Sequence, residues 1–230
     1  SPTAASGKTL VAILPHRDEN WNNNFMTVFS SSYKNNRLCE ITMVEIEVLI
    51  TSEENKNEIS NAIYDRFFER YIKIFFYKSN DIVEYYKTEN KIEKIKKNSI
   101  FNAEYKSGFS IMTNCSLLIE TVIAFLQGDN QTSTYGDEAF NRFFIKAKLY
   151  NNPLSVFENQ KFYKNIRCGL LHQGETYSGF KIQREGKLYN QSKKIINAKK
   201  FCDEMNNFLI SYQKELINSD WDSEIWDNCR

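Results

Sequence analysis

Apolar residues recur at every fourth position through Ile59, Ile63, Phe67, Tyr71 and Phe75, lining one face of a helix that begins near Glu58. Steps of four and three through Ile111, Cys115, Leu118, Val122 and Phe125 predict the most apolar helix over residues 109 to 127, stopped by Gly128-Asp129. Residues 138 to 150 predict another helix, and Asn151-Asn152-Pro153 breaks it. Ser155-Val156-Phe157-Glu158 then reads as a capping box for a helix running to about Gln173. Phe201, Met205, Phe208, Tyr212 and Leu216 share one face of a closing helix, about Ala198 to Ile217, that packs back on the bundle. Residues 81 to 97 mix Ile82, Val83, Tyr85 and Tyr86 with many Lys and Glu, which predicts a solvated helix broken near Asn90, and the Lys91 to Lys97 charge run is its wet face.

A period of two appears in shorter stretches. Thr9 to Leu14 and Phe25 to Ser30 are β-prone, and in Ile41 to Ile50 the residues Glu45 and Glu47 fall between Val44, Ile46 and Val48. That alternation suits a half-buried strand, with a helix as the rival reading. Phe180 and Ile182 alternate with polar residues, Glu185-Gly186 can turn, and Leu188-Tyr189 follow, as in a β-hairpin near 178–190. The fold class expected is therefore mainly α, a helical bundle with a small N-terminal β-prone element and this hairpin. Residues 1–52 form an N-terminal extension with short strands, and 53–230 form the helical domain.

Composition narrows the picture. Three Pro and eight Gly in 230 residues are sparse punctuation, which favours helices over a turn-rich β fold. With 17 Phe and 13 Tyr, aromatic packing should dominate the interior. A net charge of +1 gives no global attraction to nucleic acid, so any such contact must be local. Cys39, Cys115, Cys168, Cys202 and Cys229 form no CxxC pair, and two His are too few for a zinc set, so reduced thiols, no metal and no cofactor are expected. No run of about 18 apolar residues predicts a membrane span, and the three Asn-x-Ser/Thr sites come without a signal peptide, which together predict a cytoplasmic protein. Ser6-Gly7-Lys8-Thr9 resembles the end of a phosphate-binding loop but lacks its upstream Gly and strand. His16, in Pro-His-Arg-Asp, is expected to face solvent.

Candidate chemistry gathers in Phe162-Tyr163-Lys164-Asn165-Ile166-Arg167-Cys168-Gly169-Leu170-Leu171-His172-Gln173. Arg167 and His172 lie about 140° apart around a regular helix, so only a long, bending Arg brings both to one cleft. Asn165 and His172 fall nearly in register with Gly169 between them, where a missing side chain lets another helix approach. On the apolar helix, Thr113, Ser116, Glu120 and Gln127 make a narrow polar stripe, and a carboxylate there needs a partner. Glu120 either orients Arg167 or forms a salt bridge at the bundle rim. The candidates are thus Arg167, His172 and Glu120 for catalysis, and Asn165, Lys164 and Gln173 for substrate binding. The bland alternative is a His favoured by the negative end of its helix and an Arg paired with a nearby carboxylate.

The arrangement resembles the HEPN superfamily, whose signature is an Arg followed after four to six residues by a His, near the end of a late helix in a small bundle. Arg167 and His172 match with four residues between them, and the helical layout from roughly Ile59 to Ile217 is similar. The resemblance implies a metal-independent endoribonuclease, of a kind often found as toxins or antiviral effectors. It would dimerise so that two motif helices share one cleft, act on RNA to leave 2′,3′-cyclic phosphate ends, and answer to an antitoxin or effector partner. Other members bind RNA, nucleotides or proteins without cutting. The position after the Arg, often Asn, Asp or His in that family, is Cys168 here, so the noncatalytic reading stays open.

Overall fold

The computed structural model describes residues 28–34, 37–76, 107–128 and 136–230. The β-prone Thr9 to Leu14, His16, the Ser6-Gly7-Lys8-Thr9 run and the expected helix over 81 to 97 lie outside the described residues.

The chain opens with an antiparallel pair, β1 (Val28–Lys34) and β2 (Arg37–Thr42), with a register irregularity between Val28 and Ser30. Helix α1 (Met43–Leu49) follows where the Ile41 to Ile50 alternation suggested a strand. The physical reason is a capping box: the Glu45 N–H donates to Thr42 Oγ1 at 3.2 Å while the Thr42 N–H donates to Glu45 Oε2 at 2.7 Å. Only Ile46 of the three apolar residues is buried; Val44 and Val48 are 60% and 63% exposed, so the apparent alternation served no sheet face.

The Thr42 backbone N–H, and then its hydroxyl, hold the Glu45 carboxyl below its ordinary value of 4.5. A depressed folded value means the contribution is complete above the unfolded value and is lost as pH falls through the folded one. A carbon-detected NMR titration should place Glu45 below 4.5, and Thr42→Ala should return it toward 4.5. A wild-type midpoint at or above the ordinary value would exclude the box in solution.

Helix α2 (Lys56–Phe67) buries Ile59, Ile63 and Phe67, as the four-residue spacing predicts, and widens into a π turn at Phe68–Ile72. Arg66 Nη1 donates to the Phe29 carbonyl at 2.8 Å, and Phe29, Ile46 and Ile50 lie in the same buried cluster as α2, so the N-terminal element shares the core of the helices. Helix α3 (Gly108–Gln127) ends at Gly128, whose φ of 65° is the left-handed cap expected there. By length and composition α3 could cross a membrane, contrary to the expectation that no such run exists; half of that window is buried in this fold. There it is the central helix, touching the α2 π turn and every later helix of the bundle.

Helix α4 (Gly136–Leu149) leads to a 3-10 turn at Pro153–Phe157. The cap of this turn is Asn152, whose Oδ1 accepts from the Leu154 N–H at 2.9 Å; Ser155 caps no helix, and the helix expected to start there begins only at Phe162. Proline at the first position of the turn favours a start after Asn152, because its missing N–H costs nothing there. A π turn at Tyr163–Cys168 runs directly into α5 (Gly169–Gln173).

The segment near 178–190 forms strands, but β3 (Lys181–Gln183) and β4 (Tyr189–Asn190) do not pair with each other. Both flank β5 (Ile195–Asn197), parallel to β3 and antiparallel to β4, giving order β3-β5-β4 in place of a simple hairpin. Asn197 closes the unit: its Nδ2 donates to the Gly186 carbonyl at 3.1 Å, and its Oδ1 accepts from the Lys200 N–H at 3.1 Å to cap α6 (Ala198–Asn218). Helix α6 buries the predicted Phe201, Met205, Phe208, Tyr212 and Leu216 against α2 and α3, and α7 (Glu224–Cys229) covers one end.

Candidate functional site

The motif helix is held by aromatic packing from below. Phe162 is 2% exposed and meets the rings of Phe140, Phe144, Phe157 and Phe201 at 5.9, 5.3, 5.5 and 5.4 Å between centroids. Just before it, Asn159 and Lys161 adopt φ of 61° and 51°. Asn accepts that conformation readily, whereas for Lys161 it is a strain on the order of 1 kcal/mol that the surroundings must hold. Much of that hold comes from Asn165. Its Nδ2 donates to the Gln160 carbonyl at 3.2 Å, its Oδ1 accepts from Ser178 Oγ at 2.8 Å, and its backbone carbonyl accepts from the Tyr177 N–H at 2.8 Å. At 7% exposed, with its side chain engaged at both ends, Asn165 braces the turns on either side of the helix and is not open to substrate as expected.

Glu120 and Arg167, 47 residues apart in the chain, are brought together. Arg167 Nε donates to Oε1 at 2.6 Å and Nη2 to Oε2 at 3.3 Å, a side-on fork between α3 and the π turn. The two side chains are 20% and 18% exposed, so the pair sits at the rim of the bundle. Among the described residues Arg167 Nη1 has no hydrogen-bond partner. The guanidinium carbon lies 5.2 Å from the centre of the Tyr163 ring. Burial opposes the charge on Arg167, but the hydrogen bond and negative charge of Glu120 outweigh it and hold the guanidinium above its ordinary value.

His172 is exposed in the last turn of α5, and among the described residues its side chain makes no hydrogen bond or ion pair. It makes no hydrogen bond or ion pair with Arg167 or Glu120, so the structure pairs Arg167 with Glu120 and not with the His172 expected to share its cleft. Lys164 and Gln173 are also exposed. The site therefore has two parts: a half-buried Glu120–Arg167–Tyr163 cluster and an exposed helix end carrying His172 and Gln173.

Gly169 has a different neighbour from the one expected. A Cβ there would lie 2.4 Å from the Glu175 carbonyl oxygen and 3.2 Å from Thr176 Cα, so the missing side chain admits the chain's own return and not another helix. Gly174, at φ 67°, makes that return possible.

Two features escaped sequence reasoning. Tyr163 stands four residues before Arg167, a spacing at which an aromatic and a cation meet on a helix, and that signal was available. A groove of about 660 Å³ between the 184–187 turn and the start of α6 carries Arg184, Lys187, Lys199 and Lys200 against Glu185 and Asp203, and none of the motif residues. It has no sequence signature, because the turn and the helix start meet only through the sheet. Among the described residues, no group of three or more His, Cys, Asp or Glu is placed to hold a metal ion.

No family model, curated protein or solved structure matches this chain.

Proposed function

We propose that the chain is a HEPN-like module that acts on RNA through Arg167 and His172, as a metal-independent endoribonuclease of the toxin or antiviral-effector type. The observation that supports this reading is the side-on pairing of Arg167 with Glu120. It orders the guanidinium while Nη1 keeps its donors for a phosphate, on the same continuous helix that exposes His172. Arg167 would hold the scissile phosphate and stabilise the charge that builds on it. His172 carries an imidazole, the side chain suited to proton transfer near neutral pH. It would take the proton of the 2′-hydroxyl, whose oxygen attacks phosphorus to form the cyclic phosphate. The bond from phosphorus to the 5′-oxygen breaks, and that oxygen takes a proton from the second copy's His172. Such a division of labour requires a homodimer with the two motif helices face to face. A cytoplasmic setting would suit the five cysteines, all of them free thiols in this fold.

The test is incubation of wild type and an Arg167→Ala/His172→Ala double variant with mixed single-stranded and structured RNA in excess EDTA. Wild type should shorten the RNA and leave cyclic-phosphate ends, with the double variant slower by roughly a hundredfold or more. Intact RNA with folded wild type at tens of micromolar would defeat the nuclease reading, and a strictly monomeric wild type would defeat the shared cleft.

A second reading, a noncatalytic module that binds RNA, a nucleotide or a partner protein with the same surface, is favoured by a specific observation. Both carboxylate oxygens of Glu120 are spent on Arg167, and Cys168 stands where the family usually carries a polar side chain. RNA retained by wild type without cleavage would select it.

A further inference from the structure

We infer that Tyr163 is a positioning residue for Arg167, its ring holding the guanidinium on Glu120 so that Nη1 stays available to a phosphate of single-stranded RNA. The inference rests on the RNA reading above and adds to it a residue that neither the motif nor the resemblance names.

A long Arg side chain loses rotamer freedom when it is fixed, and a single carboxylate fixes only one edge of it. Here a second support lies on the ring side. The Tyr163 centroid is 5.2 Å from the guanidinium carbon, within the distance at which the negative face of an aromatic ring attracts a cation. The ring cannot retreat. Its centroid is 5.4 Å from that of Phe140 at an interplanar angle of 56°, and at Gly136 it fills the space a side chain would need: a Cβ there would lie 2.5 Å from Cε1 and 2.7 Å from Cδ1. Gly136, the first residue of α4, therefore acts as a clearance for Tyr163, and Phe140 one turn later is its stop. Burial, and then the nearby Cys168, push the Tyr163 hydroxyl above its ordinary value against the opposing pull of the Arg167 charge. Ring and carboxylate together present the guanidinium pre-ordered, which lowers the entropy lost when an anion binds.

A merely structural Tyr163 would affect folding but would weaken RNA binding by the same factor whether or not Arg167 is present. A positioning residue acts only through Arg167. The experiment is binding of a single-stranded 2′-O-methyl RNA oligonucleotide, which cannot be cleaved, to the full chain by fluorescence anisotropy. The proteins are wild type, Tyr163→Phe, Tyr163→Leu, Gly136→Ala, Arg167→Ala and the Arg167→Ala combinations. Tyr163→Phe, which keeps the ring, should bind within about twofold of wild type, and Tyr163→Leu should bind about tenfold more weakly. Gly136→Ala, which drives a methyl into the ring, should weaken binding in the same direction. In the Arg167→Ala background both changes should have no further effect. A parallel readout needs no RNA: the Arg167 Nε–H resonance should be sharp in wild type and Tyr163→Phe, and exchange-broadened in Tyr163→Leu. Wild-type binding with a Tyr163→Leu effect that persists in the Arg167→Ala background overturns this inference alone, as does an Nε–H signal unchanged in Tyr163→Leu. Absence of binding by wild type overturns the RNA reading and this inference with it.

Discussion

Gly169→Ala should destabilise the protein by about 2–4 kcal/mol and lower its melting temperature by roughly 5–15 °C. The added methyl would sit 2.4 Å from the Glu175 carbonyl oxygen, and the obstacle is backbone, which cannot swing aside as a flexible side chain would. Relief requires lifting residues 174–178 off the motif helix. That movement breaks the Glu175 N–H to Gly169 carbonyl bond at 3.3 Å and pulls on the Tyr177 N–H bond to Asn165, which braces the strained entry to the helix. The consequence should be local before it is global: amide exchange at residues 175–178 should quicken at temperatures where α6 remains protected. Gly174→Ala is the informative comparison. No atom lies within 4 Å of a Cβ there, so its cost comes only from the φ of 67°, about 1–2 kcal/mol. A Gly169→Ala protein that melts within about 2 °C of wild type would show that the return does not lie against Gly169 in solution.

Phe162→Ala should be the most damaging single change in the motif segment, costing about 3–5 kcal/mol, with a fall in melting temperature of roughly 8–16 °C. Four rings surround this one, and a cavity bounded by α4, α6 and the 3-10 turn cannot close without moving all three. Phe162→Leu keeps most of the volume and should cost less than half as much. The same position ties stability to the proposed site, because Tyr163 is the next residue and shares Phe140 as a packing partner. On the proposed RNA reading, Phe162→Ala should therefore lose RNA binding at temperatures below its own melting transition. Thermal denaturation followed by circular dichroism, with anisotropy measured across the same range, checks both statements; a melting shift under about 3 °C would rule out the anchoring role.

Much of this architecture is determined locally and can be read from the chain. The steps of four and three through Ile111, Cys115, Leu118, Val122 and Phe125 require a helix with one buried face, and Gly128 ends it because a left-handed residue is easiest there for glycine. The face of α6 is equally explicit. The Thr42-x-x-Glu45 box was also present in the sequence, but alternation of Val44, Ile46 and Val48 masked it, since three apolar residues fit either period. The helix that carries Arg167 and His172 was legible from the chain, and so was the need of Glu120 for a partner, from the isolation of its charge on an apolar face.

What only the tertiary structure decided concerns partners distant in sequence. Whether Glu120 met Arg167 depended on how α3 crosses the motif helix, which no local pattern encodes. The strand Ile195–Asn197 takes the centre of its sheet through a parallel pairing with β3, and parallel register is carried by long-range contacts and not by a turn. Asn165 turned inward because the 159–161 and 177–178 turns both needed its amide, and Gly169 and Gly136 are glycines because another part of the chain occupies the space of their side chains. Side-chain periodicity records which face of an element is apolar. It carries no information on which distant backbone will lie against that face, and that is set by closing the whole core at once.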